Sequence, residues 1–280
     1  MKKLLTLLVT AVLAVTAVFG LTACNKASTV DVTTKTITVG YTDYAPMNYT
    51  NENGELVGFD TELAQKVFSE LGYEVRFKLI VWENKYVELN NGTIDCIWNG
   101  FTSNGEDDGV PRSQSVDFSY NYMQNAQCII KNVNAPAINT KADFAGKTVA
   151  FENNSSGEAL AKSYKDGGEG TEDDINLMLS GKSSQMDALT AVLQGTADYA
   201  IVDILLANAT LTQSTYSSLV VNEGLEIGIE YYAIGFKKGS DLTAKVNAKL
   251  EELATEGYLD TLAAEYNLAT SVITNFDSQK

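Results

Sequence analysis

Histidine is missing from this chain of 280 residues, and arginine occurs only twice, as Arg76 and Arg112, among 20 basic residues. Without imidazole, the chain can form neither a histidine-dependent catalytic triad nor a zinc site with histidine ligands. The 36 acidic residues give a formal net charge of −16. This charge argues against nucleic-acid binding, because phosphates require a basic surface. A GxxxxGKS/T phosphate loop is also absent, so the chain is not a motor ATPase of that class.

The first 24 residues have the pattern of an export signal. Lys2 and Lys3 precede a long apolar run, which ends at the small-residue sequence LTA and is followed by Cys24. This order of features is typical of a signal peptide rather than a membrane span, and we assign residues 1–23 to it. The cysteine resembles that of a bacterial lipobox, which implies cleavage before Cys24 and acylation of its thiol and amine. An ordinary signal peptide with an incidental cysteine is the alternative.

An acylated Cys24 carries two or more hydrocarbon chains, enough for stable attachment to a membrane. Residues 24–35 are polar and lack apolar periodicity, as expected of a tether between the lipid and a folded domain. We therefore expect an exported protein that is lipid-anchored to the outer face of the cell membrane. In a cell with an outer membrane, this is the periplasmic side.

The two other cysteines, Cys96 and Cys128, each lie inside an apolar run, IDCIW and QCII. An exported protein can join two such residues in a disulfide. A buried free thiol that packs as a small hydrophobe fits these surroundings equally well. We favour free thiols, and the alternative of a disulfide stays open at this point.

Strand-like and helix-like segments alternate along the rest of the chain. Residues 58–72 repeat apolar side chains on one helical face, with Asp60 placed to cap the start and Gly72 to end the helix. Residues 36–40 and 75–79, on either side, alternate as strands. The same order returns after residue 146, which predicts an α/β fold with mostly parallel sheets.

Five segments in order carry a family resemblance: ITVGYTDYAPMNYTNENGELVGFDTELAQKVFSELG, LNNGTIDCIWNGFT, RSQSVDFSYNYM, VAFENNSSGEAL and LQGTADYAIVD. Together they resemble the solute-binding proteins of polar amino acid ABC importers over about residues 37–267. The resemblance implies a two-lobed periplasmic-binding-protein type II fold. Each α/β lobe has a mixed, mostly parallel sheet flanked by helices, and two crossover strands join the lobes around a ligand cleft. Lobe one would comprise residues 36–127 plus 231–275, and lobe two residues 128–230.

The resemblance also places the groups that would hold the two ends of a free amino acid. Arg112 stands five residues before Asp117, the family's spacing for the arginine whose planar N–H donors bind the ligand carboxylate. A surface salt bridge to a neighbouring acid is the alternative, and the segment 104–111 is longer than the usual family link. Asp203 matches the family's acceptor for the ligand ammonium, at the carboxyl end of a predicted strand. Its alternative is to cap the following helix.

Further positions would complete the two walls of the cleft. Ser155 and Ser156 precede a predicted helix, whose free N–H groups and dipole suit a carboxylate, although either serine could simply cap the helix. Asn154 replaces the family's usual glycine. In lobe one, Tyr44 and Trp82 align with aromatic side chains that sandwich the ligand, and packing in the core is their alternative.

The remaining aligned positions bear on ligand specificity. Asn99, Gly100 and Thr102 align with a strand end whose carbonyl and hydroxyl groups contact the ligand's ammonium and carboxylate. Asp43 and Glu152 align at or beside positions that touch the ligand side chain. Two carboxylates in a desolvated cleft favour a cation. We therefore predict a basic amino acid, with glutamine-like neutral ligands next. The alternative is that both acids are solvated on an anionic surface.

The resemblance implies a binding protein rather than an enzyme, with no cofactor and no metal. A ligand that contacts both lobes stabilises the closed form, which then docks on a membrane permease whose ATPase subunits are separate chains. We expect a monomer. Two alternatives use the same fold: an exported cyclohexadienyl or arogenate dehydratase, and an amino-acid-sensing receptor. The first has no distinctive catalytic motif in this sequence, and the second needs a further domain or a membrane span.

Overall fold

The computed structural model describes residues 35–165, 175–225 and 227–280. The predicted signal peptide, Cys24 and the tether up to residue 34 lie outside these residues. Within the three described ranges, no helix combines the length and the apolar character needed to cross a membrane.

The described residues contain fifteen strands and seven α-helices. The strands are β1 (Lys35–Tyr41), β2 (Tyr49–Thr50), β3 (Leu56–Val57), β4 (Tyr73–Leu79), β5 (Cys96–Ile97), β6 (Glu106–Asp107), β7 (Val110–Pro111), β8 (Asp117–Phe118), β9 (Met123–Asn132), β10 (Thr148–Glu152), β11 (Met178–Lys182), β12 (Tyr199–Asp203), β13 (Leu219–Val221), β14 (Ile229–Tyr232) and β15 (Gly235–Phe236). The helices are α1 (Phe59–Glu70), α2 (Lys85–Asn90), α3 (Ser156–Lys165), α4 (Gln185–Leu193), α5 (Ile204–Thr210), α6 (Leu242–Thr255) and α7 (Tyr258–Glu265).

Sheet one, the sheet of lobe one, has the strand order β4-β1-β5-β15-β8. Strand β1 pairs in parallel with β4 along its whole length and with β5 on its other side, while β15 pairs antiparallel with β5 and β8. Helix α1 packs on β4 and buries Leu63, Val67 and Phe68 completely. Helices α6 and α7 pack on α1 in turn. Burial of each of the three α1 side chains contributes about 1.5–3 kcal/mol to the free energy of unfolding.

Sheet two, the sheet of lobe two, has the order β11-β10-β12-β9-β13, and β14 also pairs with β9. Strand β10 is parallel to β11 and β12, whereas β9 is antiparallel to β12, β13 and β14. Helices α3 and α4 pack on β10 and β12, and α5 packs on β9. Both sheets are therefore mixed and flanked by helices, as the resemblance implied. They are not mostly parallel, because their described strands form four parallel and five antiparallel pairings.

The chain passes from sheet one to sheet two through β9 and returns through β14. These two strands pair antiparallel, with Met123 opposite Tyr232 and Ala126 opposite Ile229. They form the two-stranded connection between the lobes. The predicted lobe boundaries, at residues 127 and 230, fall within these strands.

The start of α1 differs from the prediction. Gly58 is the N-cap, and the Asp60 side chain points into the protein, where its Oδ2 accepts a hydrogen bond from the Gly100 N–H at 2.8 Å. Burial raises the pKa of Asp60 to about 7. The C-terminal prediction is confirmed, because Gly72 follows the helix with a φ of 83°, which suits glycine. Asp60 therefore supports the strand end at Gly100 instead of capping a helix.

Cys96 and Cys128 are free and buried, the first in β5 of sheet one and the second in β9 of sheet two. Burial raises the pKa of both thiols. Both side chains therefore pack as small hydrophobes, which is the interpretation that the sequence favoured.

Candidate ligand site between the lobes

A small cavity lies where the strand ends of the two sheets face each other. Its free volume is about 20 Å³, roughly the room of one water molecule. Ten of the eleven residues predicted to bind the ligand line it: Tyr44, Trp82, Asn99, Gly100, Thr102, Arg112, Glu152, Ser155, Ser156 and Asp203. An amino acid is larger than this space, so the lobes or their side chains must move apart to admit one.

Arg112 is 1% exposed, and its guanidinium lies at the edge of the cavity. Its Nε donates to Asp107 Oδ1 at 3.0 Å, and its Nη1 donates to the Thr102 carbonyl at 3.3 Å. Its Nη2 is buried and has no hydrogen-bond partner among the described residues. The salt bridge that the sequence offered as an alternative thus exists, but it is partly buried, and it leaves Nη2 of Arg112 unused.

The long segment 104–111 forms a β-hairpin from strands β6 and β7. Asp108 and Gly109 occupy its turn with φ angles of 50° and 77°, the left-handed values that an Asp-Gly hairpin turn requires. Arg112 follows directly after β7 and opens a short 3₁₀ turn, Arg112–Gln114. Its backbone N–H donates to the Gly105 carbonyl at 3.0 Å. The extra residues therefore place the acid Asp107 beside the arginine.

Asp203, which lines the same cavity from lobe two, is 6% exposed. Its Oδ1 accepts hydrogen bonds from the side-chain amides of Asn125, at 2.8 Å, and Gln127, and its Oδ2 accepts one from Gln185. The side chain makes no capping bond to α5, so the alternative role is absent. Glu230 Oε2 accepts from the same two amides, Asn125 at 3.1 Å and Gln127 at 3.0 Å. Burial, and then the charge of Glu230, raise the pKa of Asp203 to about 6.

Glu152 is a second buried carboxyl in the cavity wall, 5% exposed. Burial, and then the charge of Asp203, raise its pKa to about 8. Lys85 lies nearby, 1% exposed, and burial followed by the charge of Arg112 lowers its pKa to about 8. The charges of Lys85 and Arg112 lower the pKa of Glu152, but they do not cancel the effect of burial and of Asp203.

The start of helix α3 forms the lobe-two wall. Asn154 adopts a φ of 56°, a left-handed value that asparagine tolerates better than most residues, so the usual glycine is not needed. Ser155 Oγ accepts from the Glu158 N–H at 3.2 Å and so caps the helix. Ser156 Oγ is buried and has no partner within the described ranges. One serine thus caps the helix, and the other leaves its hydroxyl free at the cavity.

Trp82 and Lys85 connect lobe one to lobe two. The indole Nε1 of Trp82 and the Nζ of Lys85 both donate to the Asn154 carbonyl, at 3.1 and 3.0 Å. The Lys85 ammonium also lies 4.8 Å from the centre of the Trp82 ring. The cation-binding surface predicted for Trp82 is therefore already occupied, at least in part, by a lysine of the same chain.

The aromatic wall of lobe one is fixed by close packing. Tyr44 is buried, and its hydroxyl lies 2.6 Å from the hydroxyl of Tyr232 on β14. Gly100 has a φ of 55°, and a Cβ there would lie 2.5 Å from Tyr44 Cε1. Glycine is required at this position for both reasons. The Asn99 side chain is occupied by hydrogen bonds to Thr42 and Asn48.

Asp43 is the one predicted site residue that the structure does not bring to the cavity. Its neighbours Thr42 and Tyr44 line the cavity, whereas Asp43 between them is exposed. Partial desolvation raises its pKa. The acidic group available to a ligand side chain is therefore Glu152 alone of the two that were predicted.

Several polar residues of the site were missed by the sequence reasoning. Asn125 and Gln127 lie two residues apart on β9 and so point to the same face. Two amides at this spacing in the run MQNAQCII were a usable signal, because buried amides need partners. Lys85, Gln185 and Glu230 carried no such signal, since their side chains look like ordinary surface residues in the sequence.

Comparison with known proteins assigns the arrangement to a known class. The family model for bacterial extracellular solute-binding proteins, family 3, matches residues 37–269. The chain is 30% identical over 276 residues to a protein of Campylobacter jejuni described as a probable histidine-binding protein, covering 96% of this chain and all of the relative. It is 28% identical over 272 residues to the arginine-binding extracellular protein ArtP of Bacillus subtilis, covering 95% and 98% of the two chains.

A solved structure shows the same fold. An ancestral arginine-binding protein bound to arginine superposes with a TM-score of 0.74 at 27% identity, covering 82% of this chain and 97% of the other. The two-lobed architecture of this chain is therefore that of amino-acid-binding proteins with known structures.

Proposed function

Because the chain belongs to the bacterial extracellular solute-binding proteins of family 3, we propose that it binds a free basic amino acid between its lobes and delivers it to an ABC importer. The observation that carries the proposal is that unused hydrogen-bond donors and a buried carboxyl group line one cavity. Among the described residues, Arg112 Nη2 and the Ser156 hydroxyl have no hydrogen-bond partner, and the buried carboxyl of Asp203 lines the same cavity. The carboxylate and ammonium of an amino acid meet both needs at once.

The charge balance of the site supports a cationic ligand. Four carboxyl groups and two cations lie in or against the cavity: Asp107, Glu152, Asp203, Glu230, Lys85 and Arg112. An amino acid with a cationic side chain carries one net positive charge, which reduces this acidic excess. The relatives described as histidine- and arginine-binding proteins support the same class. Glu152 is the group we assign to the ligand side chain.

Isothermal titration of the delipidated protein, unfolded and refolded to remove bound solute, against each of the twenty amino acids tests the proposal. We expect the tightest binding for arginine, lysine or histidine, with glutamine weaker. A cavity with this acidic excess should reject glutamate, which would add one more carboxylate to it. Tight binding of glutamate together with no binding of the three basic amino acids would overturn the proposal.

The relatives are binding proteins rather than enzymes, which does not favour the dehydratase alternative. The remaining parts of the proposal concern location and partners. Acylation of Cys24 would hold the protein at the outer face of the membrane, and the closed monomer would dock on a permease with separate ATPase subunits. Mass spectrometry of the N-terminal peptide, compared with that of a Cys24→Ser variant, tests the lipid. Uptake of labelled arginine in cells lacking the protein separates delivery from a sensing role.

A further inference from the structure

The hairpin of the segment 104–111 contacts the site residue Arg112 through one side chain, Asp107. Its Oδ1 accepts from Arg112 Nε at 3.0 Å, and its Oδ2 accepts from the Tyr86 hydroxyl at 2.5 Å. The Lys85 Nζ lies 4.0 Å from the same Oδ2. Both oxygens of Asp107 are thus held by lobe-one side chains, and the carboxylate cannot turn away from Arg112 without breaking these contacts.

Three further contacts fix the plane of the Arg112 guanidinium. Nη1 donates to the Thr102 carbonyl at 3.3 Å, and the Phe101 ring centre lies 5.4 Å from Cζ. Gly105 passes so close that a Cβ there would lie 3.2 Å from Nη1. With Asp107 on Nε, these contacts leave Nη2 as the guanidinium nitrogen that has no acceptor among the described residues.

We propose that Asp107 is a positioning residue, which holds Arg112 so that its Nη2 edge meets the carboxylate of the ligand. The inference rests on the proposed function. Asp107 accepts only from Nε and leaves Nη2 without a partner among the described residues, so it orients the guanidinium without occupying the nitrogen that the ligand needs. The hairpin, which makes the segment 104–111 longer than the usual family link, thereby acquires a role in recognition.

Two substitutions separate orientation from charge. Asp107→Asn keeps an Oδ1 acceptor for Arg112 Nε, and its new amide N–H can donate to the Tyr86 oxygen. Asp107→Ala removes the acceptor of Nε, so the guanidinium keeps only its contacts with Thr102, Phe101 and Gly105 and its orientation is less restricted. If Asp107 acts by holding Arg112, the asparagine variant preserves carboxylate recognition and the alanine variant does not.

The test is isothermal titration of both variants and of the wild-type protein with L-arginine, L-lysine and L-histidine and with their primary amides. The amides lack the carboxylate, so the ratio of the Kd of an amide to that of its amino acid measures carboxylate recognition. We expect this ratio to stay within about threefold of the wild-type value in Asp107→Asn. In Asp107→Ala it should fall about tenfold or more, through weaker binding of the amino acid alone, because one oriented charge-assisted hydrogen bond is lost.

Unchanged binding of the amides by Asp107→Ala would show that the site is folded. An unchanged ratio in this variant would overturn the inference, as would an equal fall in Asp107→Asn, which would indicate an effect of charge. If the alanine variant does not fold, Tyr86→Phe releases one oxygen of Asp107 and should lower the ratio about threefold; no change there would also overturn the inference. Failure of the wild-type protein to bind any of the three amino acids is a different outcome, because it removes the proposed function itself.

Discussion

The cavity has a basic end, the part around Arg112 and Lys85, and an acidic end, the part around Asp203 and Glu230, and the two differ in what they need from a ligand. At the basic end, Arg112 and Lys85 already donate to acceptors of the same chain, the carbonyls of Thr102 and Asn154 and the carboxylate of Asp107. At the acidic end, Asp203 and Glu230 accept from neutral amides, and no ion pair joins either of them to a cation among the described residues. The basic end thus lacks only an acceptor, whereas the acidic end lacks a positive charge. We therefore expect hydrogen-bond geometry to dominate ligand binding at the basic end, and the ionisation of the carboxyl groups to dominate it at the acidic end.

Removal of Arg112 should break the basic end completely. We expect Arg112→Leu to weaken binding of a basic amino acid by a hundredfold or more, because loss of one partner from a buried charge pair costs about 2–5 kcal/mol. Arg112→Lys keeps the charge without the planar set of donors and should restore only part of this loss. Titration calorimetry measures both, with thermal unfolding as the control for folding. Binding by Arg112→Leu within threefold of the wild-type value would contradict the assignment.

Asp203→Asn tests the acidic end with almost no change of shape. We expect binding to weaken by about tenfold to a hundredfold, because the ligand ammonium loses its ionised partner. The pH dependence should change as well. The pKa of Asp203 is about 6 before binding, so below pH 6 the wild-type protein must release a proton to bind the ammonium. Its affinity should fall by up to about tenfold per pH unit there.

Glutamine is the better ligand for this pH series, since its side chain does not require Glu152 to ionise. Between pH 5 and pH 7, the affinity of the wild-type protein for glutamine should rise, and that of Asp203→Asn should stay nearly level. A parallel rise in both proteins would assign the titration to another group, such as Asp60.

The same contrast explains what the sequence could predict. Helix α1 and strands β1 and β4 follow from local periodicity, and the positions of Arg112 and Asp203 follow from the family resemblance. The hydrogen-bond partners of Asp203 could not be predicted in this way, because Asn125 and Gln127 lie 78 and 76 residues away along the chain. Glu230 and Asp203 share amide donors only because β9 pairs with both β12 and β14.

Local patterns failed where a side chain had two possible directions. Asp60 has the position of a helix cap, but Gly58 takes that place and Asp60 is buried beneath Gly100. Asp43 lies between two residues that line the cavity, and so it points away from it. In the sequence, the hairpin that carries Asp107 was visible only because the segment 104–111 is longer than the usual family link. Its contact with Arg112 depends on the turn at Asp108 and Gly109, which folds the segment back on itself.

Glu152→Gln tests the acidic groups of the cavity further, because it removes a carboxyl group while keeping nearly the same size and shape of the side chain. The unfolded chain ionises this carboxyl near its ordinary pKa of 4.5, whereas the folded protein keeps the proton up to about pH 8. The folded state therefore binds more protons in this range, and the free energy of unfolding falls as the pH rises through it. Glu152→Gln does not lose stability in this way, because its side-chain amide does not ionise. We expect it to be more stable than the wild-type protein by about 1–3 kcal/mol at pH 8, with no difference near pH 4.

Denaturant unfolding at a series of pH values measures this effect, and Glu52→Gln, at an exposed acid, is the matched control that should show none. Part of the pH dependence should persist in Glu152→Gln, because the pKa values of Asp60 and Asp203 are raised as well. The same variant should bind arginine about tenfold more weakly and glutamine as before. Equal losses for both ligands would show that Glu152 does not contact the ligand side chain.

The smallest effect is expected at the mouth of the cleft, where the hairpin turn meets lobe two. Asp108 Oδ1 lies 2.8 Å from the Nζ of Lys162 on α3, and both side chains are exposed. Asp108→Asn keeps a residue that tolerates the left-handed turn and removes only the ion pair between the lobes. Since exposed ion pairs contribute little, the dissociation rate of arginine in stopped-flow measurements should rise by less than about fivefold.

Salt distinguishes this ion pair from a change in the site itself. The difference between Asp108→Asn and the wild-type protein should shrink at about 1 M salt, where exposed charges are screened. Asp241→Asn is the matched control, because it breaks a comparable exposed pair with Lys245 within lobe one, at the N-terminus of α6. It should leave the dissociation rate unchanged, since opening of the cleft does not separate its partners. A salt-independent difference, or an equal effect of the control, would mean that the Asp108–Lys162 pair does not hold the lobes together.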